Sequence, residues 1–158
     1  NGVDPRLFER LNAHILAASA TNRFITLFLA DLAPATGELG VLNAGHNPGL
    51  VLRATGELEQ LVASGLPIGL MPGVHYRREP VRLEPGDLLC LYSDGITEAA
   101  SPEEEEFGLD RLTALLARTR QEPLDEMIAA LGRELADFTR DAPQGDDQTI
   151  VLLRRERA

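Results

Sequence analysis

The sequence predicts an α+β domain in which antiparallel sheet is covered by helices, and three observations lead there. Apolar residues recur at strand spacing over residues 24–92, at helical spacing over 108–138, and again in a short run before the C terminus. The strands come first, a helix pair follows and one strand closes the chain, so the elements do not alternate as in a parallel βαβ sheet. Turns rich in Gly, Pro and Asp, such as residues 34–37 and Pro85-Gly86-Asp87, separate the strands and suit hairpin connections. With 158 residues, 44% of them hydrophobic, the chain has the size of one domain, 1–158, and enough apolar material for a sizeable core.

The elements follow in order. Asp4 before Pro5 offers an N-cap with proline at the first helical position, and Leu7, Phe8, Leu11, Ile15 and Leu16 then share a face, so a helix is expected over 5–19. Residues 24–30 are apolar on both alternating faces, the pattern of a central strand covered on two sides. Residues 39–44 read as its partner. After Gly45-His46-Asn47-Pro48 a third strand, 49–53, completes an antiparallel meander that ends at the turn Thr55-Gly56. Gly65, Pro67, Gly69, Pro72 and Gly73 make 63–73 a loop, followed by strands at 76–83 and 88–92. One amphipathic helix carries Leu109, Leu112, Leu115 and Leu116, and a second carries Leu124, Met127, Ile128, Leu131, Leu135 and Phe138. A buried closing strand is expected over 149–153.

Charge and cysteine usage exclude several functions. The net charge is −10, with 25 acidic residues against 15 basic ones, all arginine, which argues against nucleic acid or anionic lipid as a partner. Residues 94–158 hold 16 of the acids, so a cation site belongs in that half. No apolar run approaches the roughly 20 residues that a transmembrane helix needs, and no signal segment opens the chain, so a cytoplasmic protein without a membrane contact is expected. Cys90 is the sole cysteine and excludes an intrachain disulfide. Its setting, Leu88-Leu89-Cys90-Leu91-Tyr92, is that of a small packed hydrophobe. The acids at 103–106 read as a solvated loop or helix start, and His14 and His75 lack companion ligands at metal spacing.

Two acidic motifs remain. In Tyr92-Ser93-Asp94-Gly95-Ile96-Thr97-Glu98 a buried strand ends in a carboxylate and a glycine, and Asp146 and Asp147 immediately precede the closing strand. If these strands are antiparallel neighbours, the end of one and the start of the other share an edge and their carboxylates converge. Unpaired carboxylates in one place repel, and a hard divalent cation such as Mg²⁺ or Mn²⁺ relieves the repulsion. Each motif alone is also ordinary Asp-Gly or Gly-Asp turn chemistry. His46, between Gly45 and Asn47-Pro48, suits either proton donation or phosphate binding, or else its imidazole and the Asn47 side chain hold a tight loop by hydrogen bonds.

Taken together, Phe24-Ile25-Thr26-Leu27-Phe28, Asn43-Ala44-Gly45-His46-Asn47-Pro48, Pro67-Ile68-Gly69-Leu70, Pro85-Gly86-Asp87, Tyr92-Ser93-Asp94-Gly95-Ile96-Thr97-Glu98-Ala99, Phe107-Gly108 and Asp146-Asp147-Gln148-Thr149 resemble, in content and order, the metal-dependent PPM-type (type 2C) serine/threonine phosphatases, in their bacterial stage II sporulation E-like branch. The resemblance implies an α-β-β-α sandwich of antiparallel sheets. It also implies two Mn²⁺ or Mg²⁺ ions and attack of a metal-bound hydroxide on phosphoserine or phosphothreonine, with no covalent intermediate. Asp94 and Asp146 match the family's metal-ligating positions. Asp147, Gly95, Thr97 and Glu98 match neighbours that shape or support the site, and His46 and Asn47 match a loop near it. The implied substrate is a phosphorylated STAS-type anti-anti-sigma regulator, and the implied upstream neighbour is a sensor domain.

One departure stands out. The family's metal-bridging Asp lies in a Gly-Asp-x-x-Gly motif, and nothing in residues 1–30 matches it. The sequence therefore reads as the C-terminal portion of the domain, N-terminally incomplete, with a bare sheet edge that favours self-association. The alternatives are a pseudophosphatase or binding module that docks the same partner without hydrolysis, and a structural domain whose acidic edge holds Ca²⁺.

Overall fold

In the computed structural model, which describes residues 2–18 and 23–156, Asp4 opens the first helix as expected. Its Oδ1 accepts the Arg6 N–H at 3.0 Å, and α1 spans Arg6–Ala18. Residue 19, in the expected last turn, lies outside the described residues. The buried stripe differs from the expected one: Phe8 and Asn12 are buried with Ile15 beside them, while Leu7 and Leu11 are exposed. Asn12 is the reason. Its Oδ1 accepts the Gly69 N–H at 2.7 Å and its Nδ2 donates to the Met71 carbonyl at 3.0 Å, so a buried amide that must be satisfied sets the rotation of the helix.

Two compact units are present, one of residues 1–49 and 60–84, the other of 50–59 and 85–158. In the first, β1 (Leu27–Ala33), β2 (Glu38–Ala44) and β5 (Glu79–Arg82) form an antiparallel sheet in the order β1-β2-β5, with Leu29 opposite Leu42 and Leu39 opposite Val81. β2 is central and buried at every position after Glu38. β1, expected at the centre, is an edge strand and only half-buried. It also starts later and runs on through Asp31, whose Oδ2 accepts a 2.8 Å hydrogen bond from Arg78 Nη2. That bond holds the Asp31 carboxyl below its usual range and explains a strand continuing through a charged residue. Phe24 and Ile25 are exposed, with Ile25 bridging to Ile68.

The expected meander breaks after β2. β3 (Gly49–Leu52) belongs to a second antiparallel sheet, with β4 (Leu58–Leu61), β6 (Leu88–Tyr92) and β7 (Ile150–Arg154), in the order β4-β3-β6-β7. β4 was not expected: the turn at Thr55-Gly56 is a hairpin, closed by Gly56 N–H to the Arg53 carbonyl and Arg53 N–H to the Glu57 carbonyl, each 2.8 Å. β5 is shorter than the strand expected over 76–83, because Tyr76 leaves the strand to pack edge-on against Phe8, with ring centroids 5.4 Å apart.

The second unit holds the larger core. Leu50, Leu88, Cys90, Leu112, Leu115, Leu116 and Met127 bring together β3, β6, α3 (Gly108–Thr119) and α4 (Leu124–Thr139). Each fully buried side chain of this size contributes about 1.5–3 kcal/mol. The helix faces are those the sequence spacing gives, except that Ile128 is exposed. β7 is the other correction: it is an edge strand, half-buried, with Val151 53% exposed, because only β6 flanks it. Residues 103–106 are exposed, as read, and Glu103 and Glu105 pair with Arg140 and Arg111. Among the described residues no helix is long and apolar enough to cross a membrane.

The turn before β6 carries a buried charge. Asp87 is 2% exposed; its Oδ2 accepts from Arg53 Nη1 at 2.7 Å and its Oδ1 from the Ala54 N–H at 2.8 Å. Burial works against the Arg53 charge, but bonds to Asp87 and Glu59 outweigh it and raise the guanidinium above its ordinary value. Asp87→Ala is expected to cost about 3 kcal/mol in urea unfolding, the low end for breaking a buried pair, because Glu59 still faces Arg53. Burial likewise pushes the Cys90 thiol up to about 12, so its proton stays on in the fold. The thiol's contribution to stability is therefore complete below the unfolded value of 9.0 and shrinks as pH climbs toward 12. At pH 8 a thiol reagent should label Cys90 only after denaturant is added; labelling of the native protein would contradict this burial.

Candidate functional site

β6 runs into Ser93 and then into α2 (Asp94–Thr97), a single helical turn where the sequence suggested a plain strand end. The antiparallel register sets Tyr92 opposite Ile150, so the chain leaving β6 and the chain entering β7 lie side by side, as expected. Pairing continues beyond the strands. Ser93 N–H donates to the Thr149 carbonyl at 3.0 Å. The Ser93 hydroxyl accepts the Thr149 N–H at 2.9 Å and donates to the Asp147 carbonyl at 2.8 Å. Gly95 sits so close that a Cβ there would lie 2.5 Å from the Asp147 carbonyl oxygen and 3.0 Å from its carbon. Those are backbone atoms and cannot swing aside as a side-chain tip can, so the contact itself requires glycine.

The structure thus joins Asp94, Gly95, Thr97, Glu98, Asp146 and Asp147 on two adjoining segments of the second unit. The three aspartates are exposed. Asp94 Oδ1 accepts the Gly95 N–H at 3.0 Å, and Asp146 Oδ1 accepts the Asp147 N–H at 2.7 Å. The turn of α2 is held by Thr97 Oγ1 and the Glu98 N–H, both donating to the Asp94 carbonyl. Gln144 Nε2 donates to the Asp146 carbonyl at 2.8 Å. The carboxylate oxygens are hard donors of the kind that Mg²⁺ and Mn²⁺ take. Their number is short: among the described residues no three His, Cys, Asp or Glu side chains stand together in a group that could hold a metal ion. The donor chemistry fits one hard cation in part, and these residues alone do not make a two-ion centre.

His46 and Asn47 belong to the first unit. Their loop is held by a residue the sequence reading passed over. Asn43, 1% exposed, accepts the His46 N–H on Oδ1 at 2.8 Å and donates from Nδ2 to the carbonyls of Leu61 at 3.3 Å and Asn47 at 3.4 Å. Gly45 makes the turn at φ +67°, beneath the ring of Pro67. An asparagine in the middle of the apolar run Val41-Leu42-Asn43-Ala44 is the signal that points to it, because a buried amide has to find partners. Ser93 is the other residue the reading missed, and its signal is position alone: a hydroxyl between a buried strand and an Asp-Gly.

Comparison with known proteins adds an independent finding. The sequence model of the Stage II sporulation protein E (SpoIIE) family matches residues 4–156. The chain is 32% identical to protein IcfG of Synechocystis over 84% of this chain and 21% of that protein. It is 28% identical to phosphoserine phosphatase RsbU of Bacillus subtilis over 98% of this chain and 46% of that protein. It superimposes on the phosphatase domain of the Bacillus subtilis cell fate determinant SpoIIE, solved after presoaking with Mn, with a TM-score of 0.70 and 26% identity, over 100% of this chain and 68% of that one. The two antiparallel sheets with helices are thus the arrangement of type 2C phosphatase structures. The chain spans less than half the length of the curated relatives it matches.

The Gly95 contact yields a direct test of the site's architecture. Gly95→Ala is expected to cost about 1–3 kcal/mol, the scale of forced overpacking, because the segment at Asp147 must move away. Urea unfolding measures it; unchanged stability would mean that the two segments are free to separate.

Proposed function

The chain belongs to the stage II sporulation protein E family of PPM-type phosphatases, and from that membership we propose that it carries part of the active site of a metal-dependent protein phosphatase acting on phosphoserine or phosphothreonine. The observation that carries this reading is the register of β6 and β7, which sets the Asp94-Gly95 segment against Asp146-Asp147. In this reading Asp94 and Asp146 are ligands of a Mn²⁺ or Mg²⁺ ion. A cation bound there supplies Lewis-acid polarisation and an acidified water. Asp147, Gly95, Thr97 and Glu98 shape the two segments, with Ser93 as the clamp between them. His46 and Asn47 take no catalytic role, since their loop is fixed through Asn43. In this reading the remaining ligands, with the aspartate that bridges two ions in the family, come from outside residues 1–158; that the chain covers 68% of the related phosphatase domain supports this. Presoaking of that related domain with Mn supports the choice of ion. The substrate assigned is a phosphorylated STAS-type anti-anti-sigma regulator, with a sensor segment governing the domain in the full-length protein. The relative named phosphoserine phosphatase RsbU supports a phosphoserine substrate.

A second reading has one observation in its favour. The lack of a three-ligand group among the described residues suits a module that docks the phosphoprotein without hydrolysing it. Full-length protein separates the two. Hydrolysis of para-nitrophenyl phosphate that requires Mn²⁺ supports the phosphatase; binding of a phosphoserine peptide with no turnover at saturating Mn²⁺ supports the module. Asp94→Asn is expected to weaken Mn²⁺ binding at least about tenfold by calorimetry and to remove Mn²⁺-dependent turnover. Unchanged affinity would remove Asp94 from the ligand set.

A further inference from the structure

Beside Asp146 the second unit has a cleft of about 480 Å³, between α4, the segment after α2 and the loop 142–148. That volume lies in the range of about 300–1,000 Å³ usual for binding clefts. Buried Ala99 and Leu135 line it, and Gly132 and Ala136 lie along its α4 side. A Cβ on Gly132 would meet nothing within 4 Å, so that stretch of wall faces open space. Two carboxylates, Glu98 and Asp146, line the cleft, and none of its lining residues is basic.

Some acids of the unit are neutralised, as Glu103 is by Arg140, Glu105 by Arg111 and Glu134 by Arg118. Glu98 and Asp146 are exposed and form no ion pair among the described residues. The lining therefore mixes small apolar and polar side chains with negative charge that no basic residue of the cleft offsets. A phosphate group is repelled from such a cleft; an extended segment with a cationic side chain is drawn to it.

Resting on the phosphatase reading above, we propose that this cleft receives the stretch of the phosphoprotein next to its phosphorylated residue, and that it selects an arginine or lysine there, held by Glu98, with small apolar side chains lying over Ala99 and Ala136. The phosphate lies at the margin of the cleft, at the cation that Asp94 and Asp146 would hold, which leaves Glu98 for the flanking residue. The flanking residues then supply the affinity that a phosphate alone cannot obtain on an acidic surface. Gly132 is a specificity position, because its lack of a side chain keeps the wall open.

The test uses the full-length protein with Mn²⁺ and two fluorescein-labelled phosphoserine peptides of equal length, one with arginines flanking the phosphoserine and one with glutamates. Fluorescence anisotropy reads binding, and para-nitrophenyl phosphate reads the chemistry without the cleft. The arginine peptide is expected to bind at least about tenfold tighter at low salt, with the gap narrowing as salt screens it. Gly132→Leu should weaken that peptide at least about tenfold while hydrolysis of para-nitrophenyl phosphate is retained, and Gly132→Ala should bind it nearly as the parent does. Leucine favours a helix more than glycine does, so α4 is expected to survive, and circular dichroism checks it. Glu98→Gln should remove most of the preference for arginine. Equal binding of the two peptides, tighter binding of the glutamate peptide, or binding indifferent to Gly132→Leu overturns the proposal. Peptide binding that responds as expected in a parent protein unable to hydrolyse para-nitrophenyl phosphate would instead overturn the phosphatase reading and leave the cleft standing.

Discussion

The antiparallel pairing of β6 with β7, extended past the strand ends by Ser93, is the interaction on which the candidate site depends. Its register decides which residues leave the sheet together, and Tyr92 opposite Ile150 makes them Asp94 and the pair Asp146 and Asp147. A slip of one residue would turn every side chain of β7 to the other face. Beyond the strand ends, the Ser93 hydroxyl both donates and accepts across the gap, and Gly95 admits the Asp147 backbone to contact distance. Two acidic segments that repel one another are thus held by backbone and hydroxyl bonds that do not depend on their charge.

Buried polar groups do comparable work elsewhere. Asn12 ties α1 to the loop at Gly69 and Met71, Asn43 ties the loop at His46 to the carbonyl of Leu61, and Asp87 ties the start of β6 to Arg53 and Ala54. Each lies within or beside an apolar stretch, and each satisfies backbone groups that a loop would otherwise leave without partners. Loops held in this way gain definite positions without regular secondary structure. The two units therefore show fixed connections between short strands.

The unequal charge of the chain has a chemical consequence. An acidic surface repels phosphate, so a phosphatase site built on it needs a cation to reverse the local sign. In the proposed reading the same charge outside the metal position attracts basic residues that flank the phosphate, so that one charge distribution would serve two steps of recognition, with Asp94 and Asp146 facing the cation and Glu98 left for the polypeptide.

The sequence by itself determined the α+β class, the helix pair α3 and α4 with their buried faces apart from Ile128, β6 to the residue, the buried setting of Cys90, and the two acidic motifs with the family they resemble. These are local properties: spacing of apolar residues, turn chemistry, and short motifs whose meaning lies in their own neighbours. The pairing of β1 with β2 was legible in the sequence, and tertiary structure decided the remaining partners. It moved β1 and β7 to sheet edges, placed β3 in a different sheet from β2, added β4 and α2, and turned α1 toward Asn12 in place of Leu11. Apolar alternation cannot make these choices, because a strand flanked on one side and a strand flanked on two can carry the same side chains. The neighbour is selected by long-range hydrogen bonds and by buried polar groups that must find partners far along the chain. For the same physical reason Asp94 and Asp146 were legible as candidates, whereas the Ser93 clamp and the cleft beside α4 emerged only once β6 and β7 lay side by side.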